Sequence, residues 1–230
     1  MIATAASGVY AAHKVTQTVP IVVCAGGDLV TLGLAESLRH PGGNVTGSTN
    51  LEPQLLVKRV ELLKFVKPSI VSIGLLVPRG SSAIANYLRV LEAPTKALGV
   101  AVTPIEISKV SDCERALTEG PGASVDGLVL GDLIPDSTMV TDAAMRRGLP
   151  TAGSFSFAKT DGLLGFGVDF PVLYRRAAVF VDKILKGARP GDIPIEQATK
   201  FQTAVNLKTA AALGLEIPPT VLAGADEVIE

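Results

Sequence analysis

Short apolar runs alternate with segments of helical periodicity along most of this chain. The runs are four to seven residues long, rich in β-branched and aliphatic side chains, and lie at residues 21–24, 71–77, 100–105, 125–130 and 149–152. A run that is apolar on both faces is typical of a strand buried between two layers of helices. Since strands and helices alternate with short loops, the sequence predicts an α/β fold with parallel sheets and right-handed crossovers.

Two of the intervening helices carry start and stop signals. The first is predicted over residues 54–67 and ends before Pro68, because proline cannot continue a helix. The second is predicted over residues 171–186, with Asp169 as its N-terminal cap and Gly187 as its stop. These helices separate the strand runs at the spacing that a layered α/β protein requires.

Composition and charge exclude several classes of partner. The chain has 230 residues, 47% of them hydrophobic and 19% charged, and a formal net charge of −1. This near-neutral balance gives no electrostatic basis for binding nucleic acid. No uninterrupted apolar run is long enough to predict a transmembrane helix or stable membrane insertion. The N-terminal segment lacks the basic and long apolar regions of a signal peptide, and it is predicted to be a strand end entering a helix.

The cysteines and histidines predict no metal site and no disulfide framework. The two cysteines, Cys24 and Cys113, lie at a strand end and a helix start, which seldom meet disulfide geometry. Two histidines and two scattered cysteines have no metal-ligand spacing. The sequence contains neither a nucleotide-binding glycine fingerprint nor a nucleophile elbow, and it offers no convergent acid, base or nucleophile. It therefore predicts no cofactor, and a binding protein rather than an enzyme.

Small and polar residues follow most of the predicted strands. In α/β sheets ligands gather beyond the carboxyl ends of strands, where free amides at helix starts attract an anionic group. Serine and threonine hydroxyls add hydrogen bonds to a carboxylate, and aspartates receive an ammonium group, so this chemistry suits a zwitterionic amino acid. The candidate ligand-binding residues are Ser7, Gly27, Asp28, Thr49, Ser81, Asp132, Ser154 and Phe155.

Each candidate also has a purely structural interpretation. Serine, threonine and aspartate after a strand commonly cap the next helix or form local turns. Thr49 also fits a hinge position, because the chain is expected to change lobes over residues 49–53. The Phe155 ring suits stacking on an aromatic ligand, but a phenylalanine beside a buried strand is also a common core residue. Both interpretations stay open from the sequence alone.

Two motifs stand out along the chain. The first is His40-Pro41-Gly42-Gly43-Asn44-Val45-Thr46-Gly47, and the second is the C-terminal series that includes Leu173-Tyr174-Arg175-Arg176, Asn206-Leu207-Lys208-Thr209-Ala210 and Leu213-Gly214-Leu215-Glu216-Ile217-Pro218-Pro219. Together they resemble the motifs of a known family, the substrate-binding proteins of ABC transporters of the tryptophan/tyrosine type. The resemblance extends over residues 4–230. It implies a bilobed type I periplasmic-binding-protein fold with two doubly wound parallel-sheet lobes.

The resemblance also implies a division of the chain. Residues 1–52 would be the remainder of an incomplete N-terminal lobe, residues 53–166 the C-terminal lobe, and residues 167–230 the segments that return between the lobes. Members of the family normally begin with a secretion signal and a first βαβα unit. Both are expected to be missing here.

The function implied is that of a periplasmic solute receptor of an ABC importer. Such a receptor captures a small polar ligand, plausibly an amino acid, in the cleft between hinged lobes and delivers it to ABC permease subunits. Family members hold the ligand carboxylate from the N-terminal lobe, here Ser7, Gly27 and Asp28, and the rest from the C-terminal lobe. The alternatives from other classes are an α/β enzyme acting on a small metabolite and the effector-binding domain of a transcription regulator.

Overall fold

The computed structural model describes the backbone of residues 2–3 and 6–230 and the side chains from residue 8 onward. The chain divides into two compact units, which are described separately. One unit comprises Met1–Glu52 and Val168–Phe201, and the other comprises Pro53–Gly167 and Gln202–Glu230. The chain therefore passes from one unit to the other at Glu52–Pro53, Gly167–Val168 and Phe201–Gln202.

Among its described residues, the first unit contains a four-stranded sheet with two α-helices. Its elements are β1 (Ile2–Ala3), α1 (Ala6–Val15), β2 (Ile21–Gly26), β3 (Val45–Thr49), α6 (Phe170–Leu185) and β9 (Glu196–Gln197). The strand order is β1-β2-β3-β9, and each neighbouring pair runs parallel. The predicted buried run at residues 21–24 is thus confirmed as a strand inside a parallel sheet.

The strand β2 is buried along its whole length because both of its faces are covered. Ile21 and Val23 belong to the cluster that includes Val9 of α1, whereas Val22 and Cys24 pack with Phe180 of α6. Successive side chains of a strand point to opposite faces, so a continuous apolar run fills two separate cores. This explains why β2 shows no polar alternation.

Gly47 in the middle of β3 is required by close backbone contact. Its φ is +134°, and a Cβ atom there would lie 2.0 Å from the carbonyl oxygen of Val23 on β2. The pairing register of β2 and β3 also shifts between Val23 and Gly26. Only glycine fits both the backbone angle and the distance, so the glycine that ends the His40–Gly47 motif has a structural role here.

The second unit contains a seven-stranded sheet with the order β11-β10-β8-β7-β6-β4-β5. Its strands are β4 (Ser72–Pro78), β5 (Ala101–Ile107), β6 (Gly127–Leu130), β7 (Thr151–Gly153), β8 (Leu164–Val168), β10 (Phe201–Asn206) and β11 (Glu227–Ile229). Its helices are α2 (Glu52–Val66), α3 (Ile84–Ala97), α4 (Cys113–Thr118), α5 (Thr138–Arg146), α7 (Leu207–Ala212) and α8 (Pro219–Ala223). The four remaining runs predicted as strands correspond to β4, β5, β6 and β7.

The two helices predicted from local signals are both present. The helix predicted over residues 54–67 is α2, and the one predicted over residues 171–186 is α6. Asp169 caps α6, since its Oδ1 accepts a hydrogen bond from the amide of Val172 at 3.0 Å. Among the described helices, none combines the length and hydropathy that a membrane span requires.

Candidate functional site

Asp28 follows β2 in the first unit and organises the turn that comes after it. Its Oδ1 accepts hydrogen bonds from the amides of Val30 at 3.2 Å and Thr31 at 3.1 Å, and its Oδ2 accepts one from the Thr31 hydroxyl. Aspartate is favoured at such positions because its short carboxylate reaches the amides two and three residues ahead. Oδ2 accepts one of these hydrogen bonds and keeps a lone pair, so this local role leaves capacity for an ammonium group.

The structure brings Gly27 and Thr49 into direct contact. The Thr49 hydroxyl donates a hydrogen bond to the carbonyl of Gly27 at 2.8 Å, and the carbonyl of Thr49 accepts one from the amide of Ala198 at 2.9 Å. Thr49 is 2% exposed, so its side chain joins the ends of β2 and β3 from a buried position. Its observed role is to hold the loop that carries Gly27.

The amide of Gly27 is open to an approaching group. Within the part of the chain that the structure describes, no atom accepts a hydrogen bond from this amide. A Cβ atom at Gly27 would meet nothing within 4 Å, so the space beside this backbone is empty. Unpaired amides at the carboxyl end of a strand are a common feature of anion sites.

Ser7 lies in the first turn of α1, which begins at Ala6 after the short strand β1. The contacts of its side chain are outside the described part of the structure. Its backbone position is on the helix that follows the first strand of the sheet, and its proposed contact with a carboxylate stays a prediction.

Asp132 lies after β6 in the second unit and forms an ion pair with a buried arginine. Nη2 of Arg59, on α2, lies 2.6 Å from Oδ1 of Asp132, and the two side chains are 0% and 7% exposed. Nε of Arg59 donates to the carbonyl of Phe166 at 2.9 Å, and Nη1 donates to the carbonyl of Leu130 at 2.8 Å. The guanidinium thus fixes the loop after β6 against the middle of β8.

Arg59 was not predicted from the sequence, although a signal for it exists. It continues the spacing of Leu55, Leu62 and Val66 on α2, a stripe whose other members are apolar. A charged residue within such a stripe must find partners inside the protein, because an isolated buried charge is very costly. The partners lie far along the chain, so only the folded structure identifies them.

Ser154 and Phe155 follow β7 and take part in two separate contacts. The hydroxyl of Ser154 lies 3.0 and 2.8 Å from the two carboxylate oxygens of Asp136, and Ser156 also donates to this carboxylate. The ring of Phe155 is half-buried, with Nζ of Lys159 at 5.3 Å from its centroid. Phe157, in contrast, is fully buried in the core, so only Phe155 of this pair keeps an accessible ring face.

Ser81 follows β4 and supports the start of α3. Its hydroxyl accepts a hydrogen bond from the amide of Ala83 at 3.3 Å, and its carbonyl accepts one from the amide of Ile84 at 3.4 Å. These contacts match the local-turn interpretation, since α3 itself has no side-chain cap. The side chain is half-buried, so its hydroxyl hydrogen stays available to a ligand.

The two cysteines are unsuited to nucleophilic chemistry. Both are buried and free. Burial raises the pKa of the Cys24 thiol, and burial together with the nearby Glu114 carboxylate raises the pKa of Cys113 to about 11. Since the thiolate is the reactive form, both groups stay protonated and inert at neutral pH. Among the described residues, no three histidine, cysteine or acidic side chains cluster as metal ligands would.

Comparison with known proteins gives the family context of this arrangement. The family model described as ABC transporter substrate binding protein matches residues 1–229. A curated tyrosine-binding protein from Clostridioides difficile is 27% identical over 212 residues, which are 90% of this chain and 60% of the relative. The chain therefore spans less than two thirds of that relative's length.

Two solved structures are similar over nearly the whole chain. The ABC domain of a Streptococcus pneumoniae protein in complex with L-Trp has a TM-score of 0.88 and 24% identity, covering 99% of this chain and 80% of that one. A conserved domain protein from Vibrio cholerae has a TM-score of 0.89 and 27% identity, covering 99% and 77%. This likeness confirms the predicted fold class, the type I periplasmic-binding-protein fold.

Proposed function

Since the chain belongs to the family of ABC transporter substrate-binding proteins, we propose that it binds a free amino acid in the periplasm and delivers it to the permease subunits of an importer. The family match over residues 1–229 is the observation that carries this proposal. Tyrosine and tryptophan are the first candidates, because the curated relative is a tyrosine-binding protein and a structural neighbour was solved with L-Trp. The proposed role is capture and release of the ligand without chemical turnover.

In the first unit, the open amide of Gly27 is the best-placed group for the ligand carboxylate. It has empty space beside it and no acceptor among the described residues. Thr49 holds the Gly27 loop in place through its hydroxyl. Ser7 adds a hydroxyl at the start of α1, and Asp28 supplies a carboxylate for the ammonium group.

In the second unit, Asp132 and Phe155 carry the most specific chemistry. Asp132, which Arg59 holds through Oδ1, is a second carboxylate that we assign to the ligand ammonium group. The half-buried ring of Phe155 provides a face for an aromatic side chain, and Ser81 and Ser154 provide hydroxyls. Aromatic stacking would favour tyrosine and tryptophan over small aliphatic amino acids.

Calorimetry and thermal unfolding with a panel of free amino acids test this proposal. A ligand present at a hundred times its Kd raises the free energy of unfolding by about 2.7 kcal/mol, so binding is visible as a shift in Tm. We expect such a shift with L-tyrosine or L-tryptophan and none with the D-enantiomers. Absence of binding by all twenty amino acids would contradict the proposal.

A pair of aromatic variants tests the role of Phe155. We expect Phe155→Ala to weaken the binding of L-tyrosine by about two- to tenfold, the value of one aromatic contact. Tyr174→Ala is the matched control, because Tyr174 is an exposed aromatic residue on α6 of the first unit. Equal loss of affinity in both variants would show that Phe155 has no specific contact with the ligand.

A further inference from the structure

A pocket lies within the first unit, beside the amino-terminal half of α6. It is bounded by the end of β3, by one flank of α6 and by residues 196–200, and its volume is about 630 Å³. This volume lies within the range of small-molecule sites. None of the first-unit residues assigned above to the amino-acid ligand lines it. We call it the α6 groove.

Ser48 of β3 gives the α6 groove a buried polar group without a partner. The residue is 1% exposed, and its Oγ has no hydrogen-bond partner in the described part of the chain. Thr46, two residues earlier on the same face of the strand, donates its hydroxyl to the carbonyl of Ile193 at 2.8 Å. A buried hydroxyl without a partner is costly, so Ser48 is a position where a ligand atom would restore a missing hydrogen bond.

The charges around the α6 groove favour an anion. Both of its carboxylates already have partners, because Asp169 caps α6 and Glu196 is held by two hydrogen bonds from Arg176 at 2.7 and 2.6 Å. Arg175 and Lys200 also line the groove, and neither forms a hydrogen bond or ion pair with any residue that the structure describes. Two cations are therefore available to a ligand, whereas no free carboxylate lines the groove.

The wall formed by α6 is apolar, whereas Gln197 and Thr199 add polar side chains to the segment that faces it. Val172, Leu173 and Val179 project from α6, and Ala198 lies on the opposite side. A ligand that fills the groove must therefore combine an apolar body with a negative group, since an inorganic anion would leave the aliphatic walls unfilled.

We propose that the α6 groove is a second ligand site, separate from the amino-acid site, that binds a small carboxylate with an aliphatic body. The carboxylate lies near Arg175 and Lys200, the aliphatic part packs on the α6 wall, and the Ser48 hydroxyl donates a hydrogen bond to the ligand. An opposite charge and a matching apolar surface together provide the selectivity.

The test uses 4-methylpentanoate and its neutral amide, 4-methylpentanamide, as probes of nearly equal shape. Binding is followed by chemical shifts of backbone amides in ¹⁵N-labelled protein. We expect the carboxylate to shift the amides of Ser48 and residues 196–200 with a Kd of about 1 mM, the affinity that a ligand of this size reaches. The neutral amide should bind at least about tenfold more weakly, because it loses attraction to both cations.

Charge variants test whether the two cations of the α6 groove, and not the overall charge of the protein, attract the ligand. We expect the double variant Arg175→Gln/Lys200→Gln to weaken the binding of 4-methylpentanoate by about tenfold. The matched control, Lys186→Gln/Arg189→Gln, removes two exposed cations of the same unit that do not line the groove, and it should leave the Kd unchanged. All four side chains are exposed, so folding is preserved in both variants. Ser48→Ala should weaken binding by about threefold.

The second site would be overturned by equal binding of the acid and the amide, by equal effects of the two double variants, or by no shift of the named amides with 4-methylpentanoate. The binding of L-tyrosine is measured in the same variants and should not change. Loss of both ligands in Arg175→Gln/Lys200→Gln would show a single shared site, which also overturns the inference. Failure of L-tyrosine to bind the unmodified chain would count against the proposed function alone.

Discussion

Arg59 in the second unit and Arg176 in the first unit each hold a carboxylate at 2.6 Å, yet their surroundings are opposite. The side chains of Arg59 and Asp132 are 0% and 7% exposed, whereas those of Arg176 and Glu196 are 44% and 38% exposed. Water screens the exposed pair, and its net contribution to stability is small. The buried pair has lost its hydration, so removal of either partner leaves an uncompensated charge. Burial, and not distance, distinguishes the two pairs.

The largest difference should follow the loss of the buried arginine. Arg59→Met leaves Asp132 without its cation and removes the donors to the carbonyls of Leu130 and Phe166. We expect the free energy of unfolding to fall by about 3–5 kcal/mol, measured by urea denaturation. Lys58→Met is the control, since Lys58 is an exposed neighbour on the same helix. A loss below about 1 kcal/mol would remove the distinction between the two pairs.

An intermediate effect is expected when only the negative charge is removed. Asp132→Asn keeps an oxygen that accepts from Arg59 but takes away the opposite charge. We expect the free energy of unfolding to fall by about 1.5–3 kcal/mol, the value of a hydrogen bond to a charged group. If Asp132→Asn were as unstable as Arg59→Met, the opposite charge, and not the hydrogen-bond network, would be the main contribution of this pair to stability.

The exposed pair should contribute little to stability. Glu196→Gln removes the ion pair with Arg176 at the surface of the first unit. We expect the free energy of unfolding to fall by less than about 1 kcal/mol at low salt and by still less at high salt. Urea denaturation at two ionic strengths measures this, and an effect independent of salt would contradict the assignment.

The smallest expected effect is the acid dependence of the same pair. Hydrogen bonds from Arg176 hold the pKa of Glu196 below its ordinary value of 4.5. The stabilisation is therefore complete above that value, where the group is ionised in both states, and is lost as the pH falls through the lowered pKa of the folded state. We expect the difference in stability between the unmodified chain and Glu196→Gln to shrink below pH 4.5. A difference that grew on acidification would have the wrong sign.

Features that depend on neighbours along the chain were predictable from the sequence. The Asp169 cap, the two helices and the five buried runs all agree with the structure, because caps, breakers and apolar runs act over a few residues. The strand β8 was not predicted as a strand. Its glycines interrupt the apolar run that marks the other strands. One of them is required by a tertiary contact, since a Cβ atom at Gly165 would lie 2.4 Å from the carbonyl oxygen of Phe155.

The roles of the candidate ligand residues also depend on contacts that the sequence alone does not reveal. The sequence identified the polar loop ends, but it left open whether each residue caps a helix or faces a ligand. The structure shows that Asp28 and Ser81 cap local turns, that Thr49 bonds to Gly27, and that Ser154 bonds to Asp136. Their contacts with a ligand stay proposals, and the open amide of Gly27 is the clearest position for one.

The sequence by itself determined the alternation of strands and helices, the signals that end them, and a family resemblance carried by two motifs. The tertiary structure decided that Arg59 is buried with Asp132, that Gly27 meets Thr49, and that Ser48 finds no hydrogen-bond partner among the residues that the structure describes. The physical reason is the range of the forces involved. Backbone preferences and periodicity act within one element, whereas the pairing and desolvation of a polar group depend on residues that only folding brings near.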